Sequence, residues 1–140
     1  MIMNNSQITI EALVNTNLDT AWTAYTSPEH IVNWNFASDD WQCPSAENDL
    51  RAGGKYKARM EAKDGSFGFD FEAVYDEVIP HSKLAYTMGD GRKCIITFTE
   101  IENAVKVVTV FEAESMNPPE FQKQGWQMIL DNYKKYTEGL

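Results

Sequence analysis

Between Lys55 and Lys63, charged and apolar side chains alternate without exception. Successive side chains of a β-strand point to opposite faces, so this pattern predicts a strand with one buried face and one solvated face. Asp64-Gly65 then supplies a hairpin turn, and aromatic side chains recur at every second position, at Phe67, Phe69 and Phe71. Because a sheet with one solvated face is usually antiparallel, the chain is predicted to form an antiparallel sheet with an aromatic face.

The same alternation predicts further strands on both sides of this hairpin. Ile8, Ile10 and Ala12 share one face of a first strand that runs from Gln7 to Val14. Three later strands are predicted at Leu84 to Met88, Arg92 to Ile101 and Val105 to Glu114. The resulting meander has about six or seven strands. The residues that precede it, Met1 to Asn5, are expected to be frayed.

Capping residues predict two short helices between the first strand and the hairpin. Asn17 or Asp19 can cap the first helix through a side-chain oxygen. Ser27 can cap the second, because Pro28 follows it and proline is favoured at the first helical position.

A longer helix is predicted after Asn117-Pro118-Pro119-Glu120, where proline is tolerated and an acidic residue suits the positive end of the helix dipole. Its apolar and small residues recur at spacings of three and four and form one broad stripe. The stripe consists of Phe121, Gly125, Met128, Ile129, Asn132, Tyr133 and Tyr136, widened by Trp126 and Leu130. Such a stripe suits a helix that lies across a curved sheet. Gly125, which has no side chain, is expected to let the helix approach the sheet closely.

The length and charge of the chain limit its organisation and its partners. With 140 residues, 43% of them apolar, residues 1–140 are expected to form a single domain with a substantial core. The formal net charge is −9 at pH 7. A field of this sign repels phosphate backbones and anionic headgroups, so neither nucleic acid nor bulk membrane is expected as a partner.

The two cysteines, Cys43 and Cys94, lie far apart in sequence and have no neighbouring ligands at the spacing of a zinc site. We therefore expect no metal site and no cofactor. The chain shows no signal-peptide pattern and no long apolar run, which indicates a cytoplasmic protein. In that compartment two free thiols are expected rather than a disulfide.

Four segments carry a resemblance to a known family. They are TAWTAYTSPEHIVNW at 20–34, DLRAGGKYKARM at 49–60, FDFEAVYDEVIPHSKLAYTM at 69–88 and GWQMILDNYKKYTE at 125–138. In these segments, and in the order of its elements over nearly its whole length, the sequence resembles the SRPBCC superfamily, also called START-like or birch-pollen-allergen-like. It is most similar to the branch that contains the C-terminal domain of the activator of the heat-shock-protein-ninety ATPase (AHSA-like).

This resemblance implies an α+β helix-grip fold. In that fold a curved antiparallel sheet of about six or seven strands wraps around a long C-terminal helix, often with an apolar cavity between them, and two short helices follow the first strand. A glycine is common in the family at the position of Ala73, so a weaker bend is expected in that strand here. Members include lipid and hormone carriers, polyketide cyclases, oxygenase subunits and co-chaperone domains. The resemblance therefore predicts the fold but does not select one function.

No catalytic motif stands out in the sequence. His30 and His81 lie outside any nucleophile motif, and His81 is expected to be a solvated turn residue. Asp39-Asp40 could place a carboxylate with a raised pKa at a cavity mouth, although adjacent acids in a polar loop are usually solvated. Asp70 and Glu72 alternate with the phenylalanines and are expected to point outward. No catalytic residue is assigned.

The aromatic side chains are the most informative feature for function. Taken singly, each is ordinary core material. Taken together, and with a few polar tips, they resemble the lining of a small-molecule pocket, although large side chains can equally fill such a cavity. The candidate cavity residues are Trp34, Phe36, Trp41, Tyr56, Phe69, Phe71, Tyr86, Phe98, Trp126 and Leu130.

Three functions are compatible with these observations. The leading hypothesis is a non-catalytic domain that binds a small hydrophobic or aromatic molecule between the sheet and the last helix. The second, implied by the resemblance, is a co-chaperone-like protein that binds a chaperone. The third is a polyketide cyclase-like enzyme that uses Asp39, Asp40 or His30 in the pocket. A homodimer through an exposed sheet edge is a further expectation without a specific sequence signal.

Overall fold

The computed structural model describes residues 6–140, so the expectation for Met1 to Asn5 lies outside the described residues. In chain order the elements are β1 (Gln7–Val14), α1 (Leu18–Thr26), α2 (Pro28–Ile31), β2 (Trp41–Asn48), β3 (Lys55–Ala62), β4 (Gly68–Ile79), β5 (Lys83–Met88), β6 (Lys93–Ile101), β7 (Ala104–Glu112) and α3 (Pro119–Glu138). All seven strands form one curled antiparallel sheet in the order β1-β7-β6-β5-β4-β3-β2. The predicted α+β helix-grip fold is confirmed.

The strand register follows the two-residue alternation. Ile8, Ile10 and Ala12 of β1 are buried on the concave face and pair with Phe111, Thr109 and Val107 of β7, respectively. The predicted inward face of β1 is therefore confirmed, and its bounds agree with the prediction.

The outer face of the β3–β4 hairpin is charged. Lys57 and Arg59 of β3 lie on this face, and their side-chain nitrogens approach the carboxylate of Asp70 at 3.9 and 3.6 Å. Glu72 pairs with Lys57 across the two strands and is exposed. The outward direction predicted for Asp70 and Glu72 is confirmed.

One strand, β2, was not predicted. Its sequence contains Pro44, and its pairing with β3 is interrupted between Gln42 and Ser45, so the apolar alternation is lost. β2 lies at one edge of the sheet. Proline is tolerated at this position because only one side of an edge strand needs backbone hydrogen bonds.

The short helices begin where the capping residues predicted. The Asn17 Oδ1 accepts a hydrogen bond from the Thr20 backbone N–H at 2.7 Å, and α1 begins at the next residue, Leu18. Ser27 immediately precedes α2, with Pro28 as its first residue, although the Ser27 side chain makes no capping hydrogen bond.

The last helix packs along β1 and α1. Its C-terminal half is well buried: the Tyr133 ring is fully enclosed and its hydroxyl donates to the Ala21 carbonyl at 2.6 Å. The close approach expected at Gly125 is wrong, because a Cβ built on this residue would meet no atom within 4 Å. None of the described helices is long and apolar enough to cross a bilayer.

The strand that carries Ala73 contains an irregularity two residues beyond it. Ala73 is buried and pairs regularly with Tyr56 and Met88, and the register between β4 and β5 shifts between Tyr75 and Glu77. A bulge of this kind bends a strand and increases its twist. A bend is therefore present in β4 without a glycine at position 73.

Candidate functional site

A cavity of about 260 Å³ lies between the concave face of the sheet and α3 and is partly open to solvent. It is lined by Ile10, Tyr25, Trp34, Asn35, Tyr56, Met60, Phe69, Phe71, Tyr75, Leu84, Tyr86, Arg92, Thr109, Trp126, Ile129 and Leu130. Most of these side chains are apolar or aromatic, which is the composition typical of small-molecule sites.

Seven of the ten candidate cavity residues contribute to this lining, namely Trp34, Tyr56, Phe69, Phe71, Tyr86, Trp126 and Leu130. The other three lie elsewhere. Phe98 is buried behind the cavity, with its ring centroid 5.2 Å from that of Trp22 and 5.4 Å from that of Tyr25. Trp41 contacts Phe67 near the β3–β4 hairpin. Phe36 lies in the loop before β2, where its carbonyl accepts a hydrogen bond from Asn132.

The aromatic walls stand apart because they belong to distant strands. Trp126 of α3 stacks on Phe111 of β7, with ring centroids 3.8 Å apart and planes within 9°. On β4, Phe71 instead packs edge-on against Tyr86, at 6.1 Å. β6 and β5 separate β7 from β4, so these two strands lie three strand spacings, about 14 Å, apart along the curled sheet. The cavity occupies the space between them.

Tyrosine hydroxyls are the main uncharged polar groups of the cavity. Tyr25, Tyr56, Tyr75 and Tyr86 all line it, and burial raises the pKa of each phenol above its usual value, to about 12 for Tyr75. Because desolvation disfavours the charged phenolate, these groups are neutral at physiological pH and can donate hydrogen bonds.

The tyrosine hydroxyls differ in the partners they find in the protein. The Tyr75 hydroxyl donates to Asn48 Oδ1 at 2.8 Å, and the Tyr56 hydroxyl accepts a long hydrogen bond from Asn35 at 3.4 Å. Tyr25 is among the lining residues, and none of the side-chain hydrogen bonds described for residues 6–140 involves its hydroxyl. Tyr25 lies deep in the molecule yet keeps accessible surface, because part of it faces the cavity.

Arg92 is a lining residue that was not identified from the sequence. It precedes β6 and follows the same alternation as Cys94 and Ile96, which are buried on the concave face. Extending that two-residue period from Cys94 back to Arg92 predicts that the Arg92 side chain lies on the concave face. Tyr25 and Asn35, also missed, come from α1 and the segment after α2, and no local pattern indicates that these face the cavity.

None of the candidate bases lies on the cavity wall. Asp39 and Asp40 are exposed in the loop before β2. The His30 Nδ1 shares a hydrogen bond with the Tyr136 hydroxyl at 2.6 Å, and His81 lies beside Asp19 at 3.1 Å, as a turn residue. The hypothesis that Asp39, Asp40 or His30 acts in the pocket is therefore wrong in its placement of these residues.

The cysteines are two buried free thiols, as expected, and burial raises the pKa of Cys94 to about 12. Such a thiol is protonated and unreactive at neutral pH. Within the described part of the chain, no group of three or more His, Cys, Asp or Glu side chains is arranged to hold a metal ion.

These features define a helix-grip domain with an aromatic cavity between sheet and helix. The family model for the Activator of Hsp90 ATPase homolog 1-like protein (AHSA1) matches residues 15–138. The chain therefore belongs to the AHSA1-like family of the SRPBCC superfamily, and the predicted resemblance is confirmed.

Solved structures agree with this assignment. An AHSA1-like protein from Aeromonas hydrophila is 38% identical, with a TM-score of 0.91, and the match covers 96% of this chain and 93% of that one. A protein from Cytophaga hutchinsonii is 44% identical, with a TM-score of 0.82 and coverage of 95% and 92%. A Chromobacterium violaceum protein at 22% identity shares the fold, with a TM-score of 0.85 and coverage of 95% and 98%. A search of curated proteins gave no significant match.

Proposed function

We propose that this domain binds a small hydrophobic or aromatic molecule in the cavity between the sheet and α3. The observation that carries the proposal is the aromatic lining around an accessible space of about 260 Å³. Side chains as large as Trp126 and Phe71 could have filled this space by packing on each other. Instead, Trp126 stacks on Phe111, and the ring of Phe71 packs on Tyr86.

The volume limits the size of the ligand. An apolar protein cavity of about 150 Å³ accommodates benzene. A cavity of about 260 Å³ therefore suits a molecule with two fused rings or a comparable aliphatic body. Burying such a molecule removes both its own apolar surface and that of the lining from water. This transfer is favourable by about 25 cal/mol for each Å² of apolar surface buried.

The walls are held in place without a ligand, which favours binding because less ordering is needed. The Trp34 indole donates to the Ala24 carbonyl at 2.9 Å, and Tyr75 is fixed by Asn48. The rings of Tyr56, Phe71 and Tyr86 contact one another with centroids 5.9 to 6.4 Å apart.

The proposal can be tested with 2-naphthamide, a neutral bicyclic probe, titrated into the ¹⁵N-labelled protein. Binding should shift the indole signal of Trp126 and the amides of β4 and β5. Ile129→Trp places a larger side chain in the cavity and should abolish binding. Met128→Trp adds the same side chain one residue earlier, at an exposed position, and should bind as the wild type does. Equal binding by both variants, or none by the wild type at millimolar concentration, would overturn the proposal.

A second candidate function is chaperone binding, which the name of the matching family model favours. Two apolar side chains near the start of α3, Met116 and Phe121, are highly exposed and available for contact. The test is the ATPase rate of purified Hsp90 with saturating protein, with Phe121→Ser as the comparison. No change in the rate with the wild-type protein would remove this candidate.

A further inference from the structure

The charge of the cavity lining is opposite to that of the whole protein. The chain has 21 acidic and 12 basic residues, yet the lining described for residues 6–140 includes one charged side chain, that of Arg92, and no carboxylate. A cavity in an acidic protein that excludes carboxylates and admits a guanidinium is electrostatically suited to an anion.

The Arg92 side chain lines the cavity and is held by two hydrogen bonds. Its Nε donates a hydrogen bond to Asp90 Oδ2 at 2.7 Å, and its Nη1 donates one to the Glu112 carbonyl oxygen at 2.9 Å. The side chain is only 18% exposed. A guanidinium has five N–H groups, so these two bonds leave three for other acceptors. A partly buried guanidinium is stabilised when a further acceptor reaches its remaining N–H groups.

The other polar groups that face the cavity also favour an acceptor. The hydroxyls of Tyr25 and Tyr86 belong to neutral phenols, and both residues line the cavity. The Tyr86 hydroxyl has the Cys94 thiol nearby, which is a weak partner. A ligand with oxygen acceptors would satisfy donors on Arg92 and the tyrosines, whereas a cationic ligand would find no charged partner.

We propose that the cavity takes an aromatic carboxylate, with the acid group on the Arg92 guanidinium and the ring between Trp126 and Phe71. This inference rests on the proposed small-molecule function. A planar carboxylate matches two parallel N–H groups of arginine. A doubly charged phosphate ester suits the site less well, since Asp90 already lies against the same guanidinium.

The test compares 2-naphthoate with 2-naphthamide, which has nearly the same shape but no charge, by calorimetry at pH 7. The wild-type protein should bind 2-naphthoate about tenfold to a hundredfold more tightly, the range for hydrogen bonds that involve charged groups. Arg92→Gln should remove this preference and leave the affinity for 2-naphthamide nearly unchanged. Arg59→Gln, which makes the same charge change on the outer face of β3, should preserve the preference.

A second variant tests the site without removing the arginine. Asp90→Asn eliminates the competing anion and should strengthen binding of 2-naphthoate several-fold, with no change for 2-naphthamide. Equal affinity for the two probes in the wild type would overturn the carboxylate site and leave the small-molecule function intact. Binding of neither probe would overturn both, and a preference retained in Arg92→Gln would exclude Arg92 as its cause.

Discussion

The two halves of α3 carry aromatic side chains of similar size but surround them differently. In the C-terminal half, the Tyr133 ring has no exposed surface and packs against Tyr25 and Trp34, with centroids 5.0 and 5.2 Å away. In the N-terminal half, Trp126 is only partly buried and faces the cavity, and Phe121 is 65% exposed.

The difference comes from what lies opposite each half. Tyr133 contacts α1, where the Ala21 carbonyl accepts a hydrogen bond from its hydroxyl and the Tyr25 ring packs against its ring. In the N-terminal half, Trp126 stacks on Phe111 of β7 and also borders the cavity. Apolar residues of α3 are therefore core where neighbouring side chains enclose them on all sides, and cavity wall where they are enclosed on one side only.

Truncating one aromatic ring in each half of α3 gives the strongest test of this difference in packing. Tyr133→Ala should lower the free energy of unfolding by about 3–5 kcal/mol, because a fully packed ring is lost. Trp126→Ala should cost only about 1–2 kcal/mol, since one side of this ring already faces open space. Urea denaturation of both variants measures the two values. Tyr133→Phe, which removes one buried hydrogen bond, should cost about 1 kcal/mol. Equal losses in the two alanine variants would contradict a cavity beside Trp126.

The buried thiol beneath the cavity should make stability depend on pH. Burial raises the pKa of Cys94 from 9.0 to about 12. Between these values the unfolded chain loses the thiol proton while the folded chain retains it. Because the folded state holds the proton more tightly, the free energy of unfolding should begin to fall near pH 8 and should be about 1 kcal/mol lower at pH 10 than at pH 9. Denaturation of the wild type and of Cys94→Ala across pH 8 to 10 measures the effect. If the free energy of unfolding falls with pH equally in the wild type and in Cys94→Ala, other titrating groups cause the pH dependence.

A smaller change probes the open space around the first half of α3. Gly125→Ala should raise the free energy of unfolding by about 0.5–1 kcal/mol, because alanine favours a helix interior and its Cβ meets no atom within 4 Å. Thermal denaturation provides the measurement. Destabilisation by this substitution would indicate that the helix does approach the sheet closely at this turn.

The smallest effect is expected on the outer face of the sheet. Asp70→Asn removes the partner of Lys57 and Arg59, but these groups are solvent-exposed. Exposed ion pairs contribute about 0–1 kcal/mol, so the unfolding midpoint in urea should barely move. A loss comparable to that of Trp126→Ala would show that the charged face, and not the concave face alone, stabilises this sheet.

Most of the fold could be predicted because strand and helix periods are local. The alternation around Ile8 and Ile10 defined β1, and one of the two predicted caps, Asn17, precedes the first residue of α1. β2 could not be predicted in the same way. Pro44 and the interrupted pairing after Gln42 remove its pattern, and its strand conformation depends on hydrogen bonds to β3.

The cavity was predicted less completely than the strands. Side chains on regular strands, such as Tyr56, Phe71 and Tyr86, were placed on its wall from their alternation. Phe98 has the same alternation on β6 but is covered by α1 through Trp22 and Tyr25. Whether an inward residue lines a cavity or is enclosed depends on which element covers it, and the residue's own strand carries no information about that.

The sequence by itself determined the alternation of the strands and the starts of the helices, because neighbouring residues of one segment decide them. Only the tertiary structure decided that α3 is fully packed at Tyr133 and borders a cavity at Trp126, and that Arg92 lines the same cavity. Both outcomes depend on the volume left between layers that lie far apart in the chain. That volume results from the packing of all of them together.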